Sequence, residues 1–78
     1  MHPRVRFWYE KFRSQGLDYE EAELMATLKY EIEKDRSLID WLKQEGISGF
    51  KDWAMTNCPT LYTICSNVWG AIKRFFGF

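Results

Sequence analysis

The sequence predicts an all-α fold: a small compact bundle of about four helices, the first two forming an antiparallel helical hairpin. Three observations carry this reading. Apolar residues recur at i, i+3, i+4 and i+7 through most of the chain, the period of one helical face. Residues that start or stop helices punctuate that pattern at Pro3, Gly16, Asp18, Ser37, Gly46 and Pro59. No alternation of apolar and polar residues lasts long enough to build a strand, and there is no internal repeat.

Seventy-eight residues make a single domain, residues 1–78, with a hydrophobic fraction of 46% and an aromatic fraction of 18%. That supply of apolar side chains supports a core without disulfide or metal staples. Charge divides the chain into a charged helical part, residues 1–52, and an uncharged, aromatic-rich part, residues 53–78. Of the 11 basic and 11 acidic side chains, only Lys73 and Arg74 fall in the second part. Formal net charge is +0, which removes the global attraction expected of a dedicated nucleic-acid binder.

The first helix is expected over residues 3–14. Pro3 suits its first turn, and Val5, Trp8, Tyr9 and Phe12 line one face. Arg4, Arg6, Lys11 and Arg13 populate its outer side, and Gly16 is placed to end it. Asp18 followed by Glu21 reads as a capping box for a second helix running to about residue 35. Ala22, Met25, Leu28 and Ile32 form its buried stripe, with Leu24 and Tyr30 at the flanks. The basic first helix and the acidic second are natural electrostatic neighbours, and the short connection at Gly16 makes them a hairpin.

Ser37, with Asp40 three residues later, is the expected N-cap of a short third helix ending at Gly46. The stripe of Met25, Leu28, Ile32, Ile39 and Leu42 also permits residues 18–45 to form one long bent helix. A helical turn or two follows around Phe50, Trp53 and Ala54. Pro59 then starts a terminal helix to about residue 76, with Leu61, Ile64, Cys65, Val68, Trp69, Ile72, Phe75 and Phe76 as its apolar stripe. That helix is the expected centre of the core, packed on Trp8, Phe12, Met25 and Trp41.

No constellation for catalysis, cofactor or metal binding is present, so the chain reads as a non-enzyme without cofactor. The only histidine, His2, stands far from both cysteines, so neither a nucleophile with its base nor a metal site has candidate geometry. Cys58 and Cys65 on one helix would lie about 10 Å apart, too far for a disulfide. Unpaired thiols and a charged N-terminus without a secretory signal point to a reducing, cytoplasmic setting.

Three functional readings follow from the uncharged segment and the basic first helix. The leading one is a protein–protein interaction module: a small regulatory protein, accessory subunit, adaptor or inhibitor docking on a larger protein. Its partner-binding residues are Trp69, Phe75, Phe76 and Phe78 with Lys73 and Arg74 on the rim, and Phe7 as an outlying aromatic. Phe75, Phe76 and Phe78 at a chain end require a cover, from the domain itself or from a partner. A second reading is a peripheral membrane protein using residues 59–78 as an interfacial amphipathic helix. A third is nucleic-acid binding through a basic patch of Arg4, Arg6, Lys11 and Arg13 interleaved with aromatics. An exposed aromatic stripe also permits a homo-oligomer.

Overall fold

A computed structural model describes the whole chain, Met1–Phe78. Its elements are α1 (Pro3–Ser14), α2 (Tyr19–Lys34), α3 (Ser37–Asn57), a 3₁₀ segment (Pro59–Ile64) and α4 (Cys65–Phe76). There is no strand, and the four-helix, all-α bundle is as the periodicity predicts.

Local capping chemistry fixes the hairpin. Pro3 occupies the first turn of α1, where a missing N–H breaks no helical bond, and His2 Nδ1 accepts the Arg4 N–H at 3.0 Å. At the other end the Leu17 N–H donates to the Phe12 carbonyl and the Gly16 N–H to that of Arg13, a Schellman pairing that turns the chain back. Asp18 then caps α2. Its carboxylate accepts the Glu21 N–H at 2.9 Å, and the Glu21 carboxylate accepts the Asp18 N–H at 3.1 Å. At the open end of the hairpin Arg4 and Glu33 meet across the two helices, as antiparallel packing requires.

α2 and α3 are separate helices, because the backbone at Asp35 is extended. The cap of α3 differs from the expected Ser37. Asp35 Oδ1 accepts both the Ser37 N–H (3.1 Å) and the Ser37 hydroxyl (2.6 Å), so a carboxylate two residues upstream holds the helix start and Ser37 donates to it. The predicted stop at Gly46 is a break inside α3. Gly46 adopts φ 69 and ψ −154, a region almost closed to other residues, and divides α3 into rods over residues 37–45 and 47–57.

The terminal helix is in two pieces, where one from Pro59 was expected. Thr60, Thr63 and Ile64 are β-branched and resist α-helical winding. The tighter register is set as the Leu61 N–H donates to the Cys58 carbonyl, three residues back, at 2.9 Å. Beyond it, α4 buries Cys65, Val68 and Ile72 as the predicted stripe requires.

The centre of the core is α2, not the terminal helix. It alone approaches α1, α3, the 3₁₀ segment and α4. Ala22, Leu24, Met25, Ala26, Leu28 and Ile32 are all buried, Leu24 completely so, although the sequence placed it at a flank. At 3.6 residues per turn these positions cover roughly 200° of the helix, so two sides are occupied. One side, with Ala22, Ala26, Lys29 and Glu33 in register, faces α1, and Lys29 and Glu33 are among the residues that touch it. Two alanines there let α1 approach closely. Leu24, Met25, Leu28 and Ile32 form the other side, each contributing about 1.5–3 kcal/mol on full burial.

Gly49, buried in the second rod of α3, lies under the first rod. A methyl group there would overlap Glu45 Cβ and sit 3.3 Å from the tip of the Trp41 ring. Gly49→Ala is therefore expected to destabilise the fold by about 1–3 kcal/mol, read from urea unfolding, because Glu45 is met at its stem, not its flexible end. Unchanged stability would show that the two rods separate without cost.

Candidate functional site

Aromatic residues scattered along α1, α3 and the C-terminus converge on one band. Phe7 meets Trp8 edge to face at 5.3 Å between ring centroids. Trp8 and Phe12 both meet Phe75 edge to face, at 6.0 Å and 5.0 Å. From Phe75 the series continues through Phe76 (5.0 Å) and Phe78 (6.3 Å) to Trp69 (5.7 Å). Trp69 stacks on Phe50 at 5.6 Å, and Phe50 on Trp53 at 5.9 Å. Such pairs contribute about 0.5–1.5 kcal/mol each beyond their burial.

The terminal phenylalanines are covered unequally. Gly77 takes a left-handed conformation, and the Phe78 N–H donates to the Lys73 carbonyl at 2.9 Å, folding the last ring back onto Trp69. Trp69, Phe76 and Phe78 are thereby half-buried against the domain. Phe75 remains 38% exposed and Phe7 43% exposed. These two, from opposite ends of the chain, sit on either side of Trp8.

Cations flank the band. The Arg4 guanidinium lies 4.8 Å from the Phe7 ring centre and Lys11 Nζ 5.3 Å from it. Lys29 Nζ is 4.9 Å from the Trp8 ring, and Lys43 Nζ 5.7 Å from Phe78. Cation–π attraction at exposed sites is worth about 0.5–1 kcal/mol. The Trp8 Nε1–H is buried and makes no well-formed hydrogen bond, although it faces the Glu33 carboxylate closely enough to favour its charged form.

Three of the four basic residues predicted as a patch on α1 are engaged within the molecule. Arg4 binds Glu33 bidentately, Nε to Oε1 at 3.1 Å and Nη2 to Oε2 at 2.9 Å. Arg6 pairs with Glu10 at 3.3 Å. Arg13 donates to the Leu17 carbonyl at 2.9 Å and lies over the Tyr19 ring. Lys11 alone has neither a carboxylate nor a carbonyl partner. Lys73 and Arg74 also make no ion pair.

A cleft of about 270 Å³ opens between residues 15–17 and α4, lined by Phe12, Leu17, Met25, Ala71 and Phe75, with Gln15 and Arg74 at its edge. α1 and α4 make no close backbone approach here, and Phe75 reaches across to Phe12. Comparison with protein families, characterised proteins and solved structures finds no match for this chain. Its surface has to be interpreted from its own chemistry.

Residues beyond those singled out in the sequence complete the band. Lys29 was legible in principle, since it stands one turn before Glu33 on the edge facing α1. Lys43, Phe50 and Leu17 join through tertiary packing that carries no local signal.

The remaining reactive side chains have structural positions. His2 caps α1 and packs on Tyr30, with ring centroids 4.6 Å apart. Cys58 is half-buried and Cys65 fully buried, both free, and burial pushes both thiols up. The thiolate is the reactive form, so both are expected to resist labelling by Ellman's reagent in the folded protein, Cys65 reacting only on unfolding. Immediate modification of both at neutral pH would contradict this burial.

The Arg4 hydrogen bonds hold the Glu33 carboxyl below its ordinary range, outweighing the opposing effect of partial burial. A depressed carboxyl binds its proton more readily in the unfolded chain, so this stabilisation is full above the unfolded pKa and fades as pH falls through the folded one. Glu33→Gln is expected to lower the melting temperature at neutral pH and to flatten its decline on acidification. A parallel acid profile for both proteins would show that the pair contributes nothing to stability.

Proposed function

We propose that this chain is a non-enzymatic helical interaction module that docks on a larger protein as an adaptor, accessory subunit or inhibitor. The observation that carries the reading is the two exposed rings Phe7 and Phe75, each in contact with Trp8, with Lys11 and Lys29 beside them free of carboxylate partners. Aromatic and arginine side chains in partly desolvated settings are the usual anchors of protein interfaces. Phe76 packs against Phe75 and is itself backed by Phe78 and Trp69, and Lys73 and Arg74 supply the rim. Two free cysteines suit a reducing, cytoplasmic setting.

The other readings have less behind them. No helix is long and apolar enough to cross a membrane. An interfacial role for residues 59–78 requires α4 to withdraw Cys65, Val68 and Ile72 from the core. Nucleic-acid binding through α1 is disfavoured because Glu33 and Glu10 offset the charges of Arg4 and Arg6.

The test compares the full chain with Phe7→Ser and with Phe7→Ser/Phe75→Ser in affinity capture from a lysate of the source cells, after circular dichroism shows that each folds. A larger protein held by the full chain, weakened by the single change and lost with the double one is the expected result. Retention of the same proteins by all three, or of none by the full chain, would refute the reading.

A further inference from the structure

We infer that Gly46 is a hinge at which α3 straightens, and that straightening lets two copies of this chain exchange their N-terminal units, residues 1–45, to form a dimer whose two cores are each built from both chains.

α3 is interrupted at one residue. Gly46, with φ 69 and ψ −154, is the single departure from helical geometry between Ser37 and Asn57. Rotation about the two backbone torsions of that residue therefore converts two rods into one helix of 21 residues. The bend itself is sharp. In a straight helix Cβ atoms four residues apart stand about 5–6 Å from each other, whereas here a methyl group on Gly49 would overlap Glu45 Cβ.

The bend divides the molecule into two units that share one core. Before it, α1 approaches no element but α2; after it, the 3₁₀ segment and α4 pack on each other and on α3. Phe12, Leu28 and Ile32 from the first unit and Phe50, Val68 and Ile72 from the second are buried in a single cluster. Residues 47–78 are too few to bury a core of their own, since chains below about 40 residues generally need staples or a partner. A straight α3 is about 30 Å long at a rise of about 1.5 Å per residue, as long as the 29 Å greatest extent of the whole molecule. Straightening thus draws the units apart and opens the core. The first unit of a second copy already has the shape that the opened surface fits, so exchange restores every lost contact.

Backbone chemistry sets which state is preferred. The Gly46 angles lie in a region open essentially to glycine alone, and glycine is among the poorest helix formers, so this residue favours the bent monomer on both counts. Gly49 acts in the same direction, because the missing side chain that lets the rods close on one another also weakens a straight helix. Nothing lies within 4 Å of where a Gly46 side chain would begin, so a change there alters backbone preference and no packing contact. Exchange also multiplies the surface. Trp8 and Phe12 belong to the first unit and Phe75 to the second, so each exchanged dimer carries two aromatic bands, each assembled from both chains. Whatever the band binds, the dimer engages it with two arms where the monomer has one.

The test measures mass by light scattering after size-exclusion chromatography for the wild-type chain, Gly46→Ala and a synthetic chain with D-alanine at position 46, each refolded from urea over a range of concentrations. The mirror image of the Gly46 angles falls in the polyproline II region, so a D-residue is at ease in the bend where an L-residue is not. The wild type is expected to be a monomer that yields a dimer fraction when refolded at high concentration. Gly46→Ala should lower the dimer dissociation constant by about a hundredfold or more, since both copies contribute, and D-alanine should abolish the dimer. In a dimer mixed from labelled and unlabelled copies, isotope-filtered NMR should show the contact between the Phe12 and Phe75 rings, 5.0 Å apart at their centroids in the monomer, running from one copy to the other. If Gly46→Ala does not fold, Gly49→Ala takes its place, with a dimer and the same exchanged ring contact expected at high concentration.

A folded alanine variant that stays monomeric at every concentration would overturn the inference, as would failure of both alanine variants to fold. So would a wild type that never dimerises on refolding, a dimer formed equally with D-alanine, or ring contacts kept within each copy, the mark of a side-by-side dimer.

Discussion

The structure depends on α2 being covered on two sides at once. A helix buried over more than half its circumference keeps less than half of it outside the core, and Glu20, Glu23 and Glu31 gather there, the last two partly covered. Ala22 and Ala26 are buried on the side that carries Lys29 and Glu33 toward α1, and Leu24, Leu28 and Ile32 are buried on the other, with α3 and α4 also close to α2. With α2 between them, α1 and α4 never pack backbone to backbone. Phe75 spans part of that distance to reach Phe12 and Trp8, and a cleft remains beside it.

Much of this fold is legible in the sequence because its signals are local. Pro3, Gly16 and the Asp18–Glu21 box act within a few residues, and the structure places α1, its end and the start of α2 where those residues direct. The departures have a common cause. Whether Asp35 or Ser37 caps α3 depends on which acceptor the chain presents at the break, and periodicity does not report that. The central role of α2 was hidden because its buried residues are split between two stripes, and a single-stripe reading assigned Leu24 to the edge. Winding of residues 59–64 as 3₁₀ rather than α follows from β-branched side chains that a pattern of apolar spacing does not weigh.

The aromatic surface was only half legible. Composition identified Phe75, Phe76, Phe78 and Trp69 as needing cover, yet spacing says nothing of which ring covers which. Folding separates them into supports and exposed members, since Phe78 is drawn back by one backbone hydrogen bond while Phe75 sits astride Trp8. Phe7, an outlier in the sequence, is linked to Phe75 only through Trp8, which both rings touch. In the same way the α1 cations divide by tertiary partner: Arg4 is claimed by Glu33, and Lys11 is left free.

The uneven placement of charge has a consequence for how the molecule moves. With positive groups gathered on α1 and α4 and acids on the outer strip of α2, a body of zero net charge still carries an electric dipole. A neutral dipole feels little net pull in the field of a charged surface, but it feels a torque. In a local field it rotates before it is drawn in, so the aromatic side turns toward negative potential and the acidic strip turns away. Within about one Debye length, about 8 Å at physiological ionic strength, encounters with an acidic surface therefore begin already oriented.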